Sequence, residues 1–335
     1  MDDQSIGGHG NNSPNFQQDF NFENTESKKP KVYFLKGHGE RDTEDQNPYS
    51  GYSGIAQQIR RDNVDVDQFA FGEKQAVPED ADALIVAGPS KRLSPREIDA
   101  LRAYMEKQGR LAILLDSTSD GGLGGFLQAW GVKAGDDVVI DPTRTLSGLE
   151  LFVSDYAQHP ITRGLKGVSS ILYLPRSIEP GAEQGGESGL ADKPRVVSLA
   201  SCSAEGWAEA DLDQKPTKYD AARDRKGPIS VAVAVEKGPV EGVDVAIRPT
   251  RMVVLGDADF AANGALTGGN VDLFLGALNW LIEREHLLAI APKPVEETRL
   301  VITQAQLGML FWVVVAGIPG AIALAGGLVW FRRRA

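Results

Sequence analysis

Between Lys31 and Leu115 the chain alternates short apolar runs with longer amphipathic stretches. KVYFLK (31–36) is an apolar run stopped by Gly37 and predicts a buried strand. Ser53 to Arg61 fits a helix, and Val64, Val66 and Phe69 then alternate as a second strand. DALIVA (82–87) predicts a third, stopped by Gly88-Pro89. Ser94-Pro95-Arg96-Glu97 is a capping box with proline at the first helical position. Behind it Ile98, Leu101 and Met105 share a face, and Gly109 supplies the stop. RLAILL (110–115) predicts a fourth strand ending at Asp116, followed by a helix around Leu123 to Trp130. Strands and helices alternating at this spacing predict βαβ units in a doubly wound, mostly parallel α/β sheet.

The middle of the chain, 141–250, is less regular. Arg195 to Ala200 and Ile229 to Val235 read as strands, the second with Ile229, Val231, Val233 and Val235 on one face. Glycine- and charge-rich stretches at 178–193 and 205–227 read as long surface loops. RMVVL (251–255) is a further strand that runs into Gly256-Asp257-Ala258-Asp259-Phe260, and Asn270 to Arg284 predicts a well-buried helix. The expected division is a polar, irregular segment 1–30, an α/β body 31–290 with long loops at 141–228, a linker 291–306, a membrane helix 307–331 and a basic tail 332–335.

The last segment rests on length and polarity. No charged residue lies between Leu300 and Phe331, enough for the ~20 apolar residues that cross a bilayer. Trp312 and Trp330 are separated by ~27 Å of helix, the spacing of an aromatic belt. Gly317, Ala321 and Ala325 recur every four residues as a small-residue stripe that lets another helix approach, and general Gly/Ala richness of membrane helices is the plainer reading. Pro319 predicts a kink. Arg332 to Arg334 are expected on the cytoplasmic side, which puts the body outside the cytoplasm. The first thirty residues hold no apolar h-region. Two expectations follow: a tail-anchored protein with a cytosolic body, or a chain that has lost an upstream helix.

Charge excludes one class of partner. The net charge is −11, and the only charges after Arg299 are the three terminal arginines, which leaves −14 on the rest. Such a body repels phosphate backbones, so nucleic acid is not expected as a partner. The single cysteine, Cys202, excludes an internal disulfide and reads as a packing residue. Of the histidines, His9 lies in the polar tail, His286 near the membrane end and His159 in a turn, and no pair has zinc-ligand spacing.

Ligands of a doubly wound sheet sit beyond the C-terminal strand ends. Three loops qualify: Gly37-His38-Gly39-Glu40, Gly88-Pro89-Ser90 and Asp116-Ser117-Thr118. His38 and Glu40 suit acid–base work or ligand binding, with Gly37 and Gly39 allowing a close backbone approach; a tight loop bonded to its own backbone is the plainer reading. Asp116, Asp257 and Asp259 each follow a strand and converge if those strands are parallel neighbours. They then suit a divalent cation, although aspartates at such ends more often cap turns, and no metal or cofactor is expected. The chain carries no G-x-S-x-G elbow, no P-loop and no G-x-G-x-x-G after a strand.

KVYFLKGHGERD (31–42), the YSG at 52–54, the run from Val77 to Asp116, HPIT (159–162), VVLGDADFAANGALTGGNVDLFLGALNWL (253–281) and the terminal helix with its arginines resemble the auxiliary component of gliding-motility-type ABC transport systems, the GldG-like family. The resemblance covers about residues 28–335 and implies a class I amidotransferase-like, flavodoxin-like fold. Active members of that superfamily carry a cysteine nucleophile after a central strand. The comparable loop here, Ala87-Gly88-Pro89-Ser90, has none, so the resemblance implies a non-catalytic relative. It also implies ABC permease and ATPase subunits and membrane lipid as partners. Family members begin with another membrane helix and domain, which favours the lost-helix expectation. The rival functions are a membrane-tethered amidotransferase-like or hydrolase enzyme using His38, Glu40 and Asp116, and a ligand-binding sensor domain with an apolar pocket.

Overall fold

The apolar runs become strands of one eight-stranded sheet in the computed structural model, which describes residues 29–72, 76–181, 193–211, 218–238, 248–284 and 304–334. The strands are β1 (Lys31–Leu35), β2 (Asp65–Phe69), β3 (Ala83–Ala87), β4 (Arg110–Leu114), β5 (Asp155–Tyr156), β6 (Arg195–Ser201), β7 (Ser230–Lys237) and β8 (Thr250–Leu255). Their order is β2-β1-β3-β4-β8-β7-β6-β5. The first five are parallel, and β7, β6 and β5 add antiparallel pairs at one side.

Helices cover both faces. α1 (Ser53–Arg61) and α4 (Gly268–Leu281) pack Ile55, Ile59, Leu273 and Phe274 on one side. α2 (Pro95–Glu106) and α3 (Gly124–Ala129) pack Leu101, Met105, Phe126 and Leu127 on the other. A sheet covered on both faces needs apolar side chains in both directions, which is why ALIVA of β3 and the whole of β4 are buried. The capping box of α2 forms as its sequence predicts, with Ser94 and Glu97 bonding reciprocally.

Burial on both faces also corrects the reading of β7. Every residue from Ser230 to Val235 is buried, and its valines do not share a face. Ile229 and Val231 join the α1/α4 core, whereas Val233 and Val235 join the α2/α3 core. The register of β7 with β6 shifts twice around Ala200, with Leu199 the extra residue on β6 and Val231 the extra residue on β7, and the extra residue on β7 turns its later side chains to the opposite face.

The stretches read as long surface loops hold short strands. Ile178–Pro180 pairs with Val132–Ala134, Trp207–Glu209 lies between Val138–Ile140 and Arg225–Lys226, and Glu150–Val153 pairs with Ser170–Tyr173. Segments of two to four residues are too short to show a period, so pattern alone could not reveal them. Trp207 and Glu209 are buried inside a charge-rich stretch because Glu209 accepts from the Trp207 indole at 3.1 Å and from the Asp211 amide at 3.0 Å.

His159 caps the 3-10 turn Pro160–Leu165, as its sequence position suggests, and its ring meets Trp280 edge-on. Cys202 is buried, and burial pushes its thiol up. Near the C-terminus α5 (Gln304–Trp312), a π-helical stretch Val313–Gly317 and α6 (Ile318–Arg334) run on from one another. The widened turn directly precedes Pro319, whose ring and missing N–H disturb the ladder there. Gly308–Gly326 is long and apolar enough to cross a membrane and is unburied. Gly317 and Ala325 are exposed; His9, His286, linker residues 291–303 and the Ala321 side chain lie outside the described residues.

Candidate functional site

The parallel strands run 2-1-3-4-8, so the chain reverses its direction of travel across the sheet between β1 and β3. In a doubly wound sheet that reversal opens a crevice at the C-terminal strand ends. The loops after β1, β3, β4 and β8 meet there.

The loop after β1 turns through two left-handed glycines, Gly37 at φ +123° and Gly39 at φ +80°. A side chain at Gly39 would collide with the Ser90 hydroxyl, so only glycine lets the β3 loop lie against it. His38 sits between two carboxylates, with Nδ1 3.1 Å from Glu40 and Nε2 3.2 Å from Glu97. The Glu40 side chain is fully buried and also accepts the His38 amide at 2.7 Å. Only the doubly protonated ring donates to both acids at once. The Glu97 oxygen that faces His38 also caps α2 through the Ser94 amide at 2.7 Å. Burial opposes its charge, but the bonds from Ser94 and the contact with His38 hold the Glu97 carboxyl below its ordinary range. Ser90 donates to the His38 carbonyl at 3.2 Å. Five of the sequence candidates, Gly37, His38, Gly39, Glu40 and Ser90, thus form one clip between the β1 loop and the start of α2.

The three aspartates form a second group. β4 and β8 are parallel neighbours, and oxygens of Asp116, Asp257 and Asp259 lie within 4.8 Å of one another. Arg41, which the sequence reading passed over, reaches into them: its guanidinium bonds Asp116 at 3.2 Å and also pairs with Asp259. Burial opposes the charge of Arg41, but the two carboxylates outweigh it and raise its pKa above the usual value. Gly88, at φ +63°, makes room: a Cβ there would stand 3.0 Å from Asp116 and 3.1 Å from Ala258. Tyr52, buried, donates its hydroxyl to the Ala258 carbonyl.

Asp257 is buried, and its two oxygens accept the Tyr173 and Asp259 amides, each at 2.7 Å. Burial pushes its carboxyl well above the ordinary range, against the pull of those amides. Burial also pushes Asp116 up, with Arg41 opposing. A group whose folded pKa is raised contributes stability below its unfolded value and loses it as pH climbs through the folded one. Relative to Asp257→Asn, the wild type is therefore expected to lose stability as pH rises from about 4 toward neutrality. Parallel urea titrations check this, and two curves that stay a constant distance apart would contradict it.

The irregular middle of the chain roofs this group. Tyr173 reaches Asp257, Arg176 exchanges a backbone bond with Gly256 at 2.9 Å, and the buried Arg176 side chain donates to the Ser117 carbonyl at 3.0 Å. Arg41 lies in the quoted stretch GHGERD, three residues past His38; its charge beside an acidic cluster was the available signal. Tyr173 and Arg176 come from a region without periodicity and left no such signal. Chemically, the guanidinium of Arg41 supplies the positive charge that a cation would otherwise bring to Asp116 and Asp259. His38 and Asp116 take different partners, the two glutamates for one and Arg41 with the Ala258 amide for the other.

The architecture is thus a doubly wound α/β body with an internally paired crevice at its switch point. Residues 29–279 match the family described as ABC-type uncharacterized transport system, and the chain belongs to that family of transport auxiliaries. Comparison with curated proteins gives no match. Among solved structures the chain is similar to the mmIFT52 N-terminal domain, with 13% identity and a TM-score of 0.51 over 75% of this chain and 97% of that one. It is more loosely similar to a thua-like protein from Bacteroides uniformis, at 15% identity and a TM-score of 0.42 over 76% and 91% of the two chains. A gmp synthase subunit a protein from Thermoplasma acidophilum gives 9% and 0.38 over 78% and 98%. At these identities the likeness concerns the fold alone.

Proposed function

We propose that this chain is a non-catalytic, membrane-anchored accessory subunit of an ABC-type transport system of the GldG-like, gliding-motility type. The observation that carries the reading is the apolar helix Gly308–Gly326, unburied and followed by Arg332, Arg333 and Arg334, in a chain whose body matches a transport-auxiliary family. Three arginines beyond the span favour a cytoplasmic C-terminus and a body on the other side of the inner membrane. The non-catalytic part is supported by how the crevice groups are spent. His38 is held by two acids, Asp116 and Asp259 by Arg41, and Asp257 by two amides, so these groups hold one another in place.

The test begins with carbonate-washed membranes and mild detergent extraction. The wild type is expected in the membrane fraction, copurifying with a permease and an ATPase. Arginines at Val315 and Leu324 together each add roughly 2.5–3.5 kcal/mol to insertion and should shift the chain toward the soluble fraction. A wild type that is already soluble overturns the anchoring. A membrane-bound chain that brings neither subunit overturns the transport role.

A further inference from the structure

The loop between β1 and α1 holds an aromatic side chain that the fold does not use. Tyr49 is 84% exposed, more than any other large apolar or aromatic side chain of the described body. Its hydroxyl makes no hydrogen bond among the described residues.

The loop beneath it is braced. The amides of Glu44, Asn47 and Tyr49 donate to the side chains of Asp42, Asp45 and Asn47, each at 2.8 Å. Asn263, from the loop after β8, donates to the Asp45 and Asn47 carbonyls, both at 3.0 Å. The Gly264 amide donates to the Pro48 carbonyl at 2.7 Å, and the Asn263 amide to that of Gly51 at 2.9 Å. A Cβ at Gly51 would collide with the Asp45 carbonyl, so the turn closes tightly. Three residues past Tyr49, Tyr52 is buried and bonded to Ala258.

A loop tied at so many points presents its tip in one position. Ordering costs of binding are then largely met in advance, and exposed tyrosines on rigid loops are recurrent interface anchors. The surroundings set the chemistry of what binds. Asp42 and Glu44 are exposed, Asp45 is half-buried, and of the two cationic side chains of the loop Arg41 is engaged by Asp116 and Asp259 while Lys36 stands at its start, next to β1. An acidic rim around an aromatic tip complements a basic surface with an apolar socket.

We propose that Tyr49 and its acidic rim are a docking surface for a protein partner that carries lysines or arginines around a socket for the phenol ring. This deepens the accessory-subunit reading: the partner is an extramembranous face of the transport complex, and the inference rests on that reading.

The test uses the full chain extracted with its complex. Tyr49→Ala is expected to reduce the permease and ATPase recovered by about tenfold or more, the scale of a hot-spot loss. Its thermal melt should match the wild type, because the ring buries almost nothing. Tyr49→Phe should keep most of the recovery. Glu44→Gln should weaken binding less and flatten its dependence on salt. A photo-crosslinking residue at position 49 should join the chain to a transport subunit. Unchanged recovery with Tyr49→Ala, or a crosslink joining two copies of this chain, overturns the docking surface and leaves the accessory role standing. A wild type that recovers no transport subunit overturns both.

Discussion

Arg41→Ala is expected to destabilise the body by about 3–5 kcal/mol, the cost of removing one partner from a largely buried ion group. The guanidinium stands between Asp116 and Asp259, with Asp257 alongside. Without it, carboxyl oxygens within 4.8 Å of one another lose the cation bonded to them, and the weaker pull of Arg176 on Asp116 remains. The loss should depend on pH with a defined sign. Burial already raises the Asp116 carboxyl, and Arg41 is the main opposing influence, so its removal raises that carboxyl further. A raised carboxyl keeps its stabilising contribution below the unfolded value of about 4 and loses it as pH climbs. The deficit of Arg41→Ala should therefore be smallest in acid and grow toward neutral pH. Arg41→Lys should recover only part of it, since a single ammonium does not offer the fork that spans two acids. Urea titrations at several pH values measure the wild type and both variants, and a deficit independent of pH would refute the electrostatic account.

The second large effect is expected at Gly256. A Cβ there would collide with the Arg176 carbonyl, and backbone atoms on both sides cannot yield as a flexible side chain would. The Gly256 amide is held by the Val231 carbonyl at 2.9 Å, and its carbonyl accepts the Arg176 amide at 2.9 Å. Gly256→Ala must break one of these contacts, at about 3 kcal/mol by the measure of overpacked cores. The segment that gives way should be the roof around Tyr173 and Arg176, because β8 is bonded on both edges. Hydrogen exchange should then rise at the Tyr173 and Arg176 amides while β8 stays protected. Equal loosening of β8 would show that the strand, not the roof, had moved.

The parallel half of the fold was legible in the chain. β1, β3, β4, α2 and the end of β8 follow from apolar runs bounded by glycine, proline or a capping box, all local in sequence. Convergence of Asp116, Asp257 and Asp259 could be stated as a condition, because side chains at the ends of parallel neighbours lie close. The roof strands could not be read, since two to four residues carry no period. The two valine faces of β7 could not either, because the register shifts around Ala200 depend on its neighbour β6.

By itself, the sequence determined a mostly parallel α/β body, an acidic surface and one apolar segment of membrane length, because each depends on composition or on periods within a few residues. The tertiary structure decided which charges meet. It took Arg41, four residues past Gly37, to a pair of acids beyond β4 and β8, and it closed His38 between Glu40 and Glu97. Ion pairs form between residues far apart in the chain, and only the strand order 2-1-3-4-8 brings those ends together.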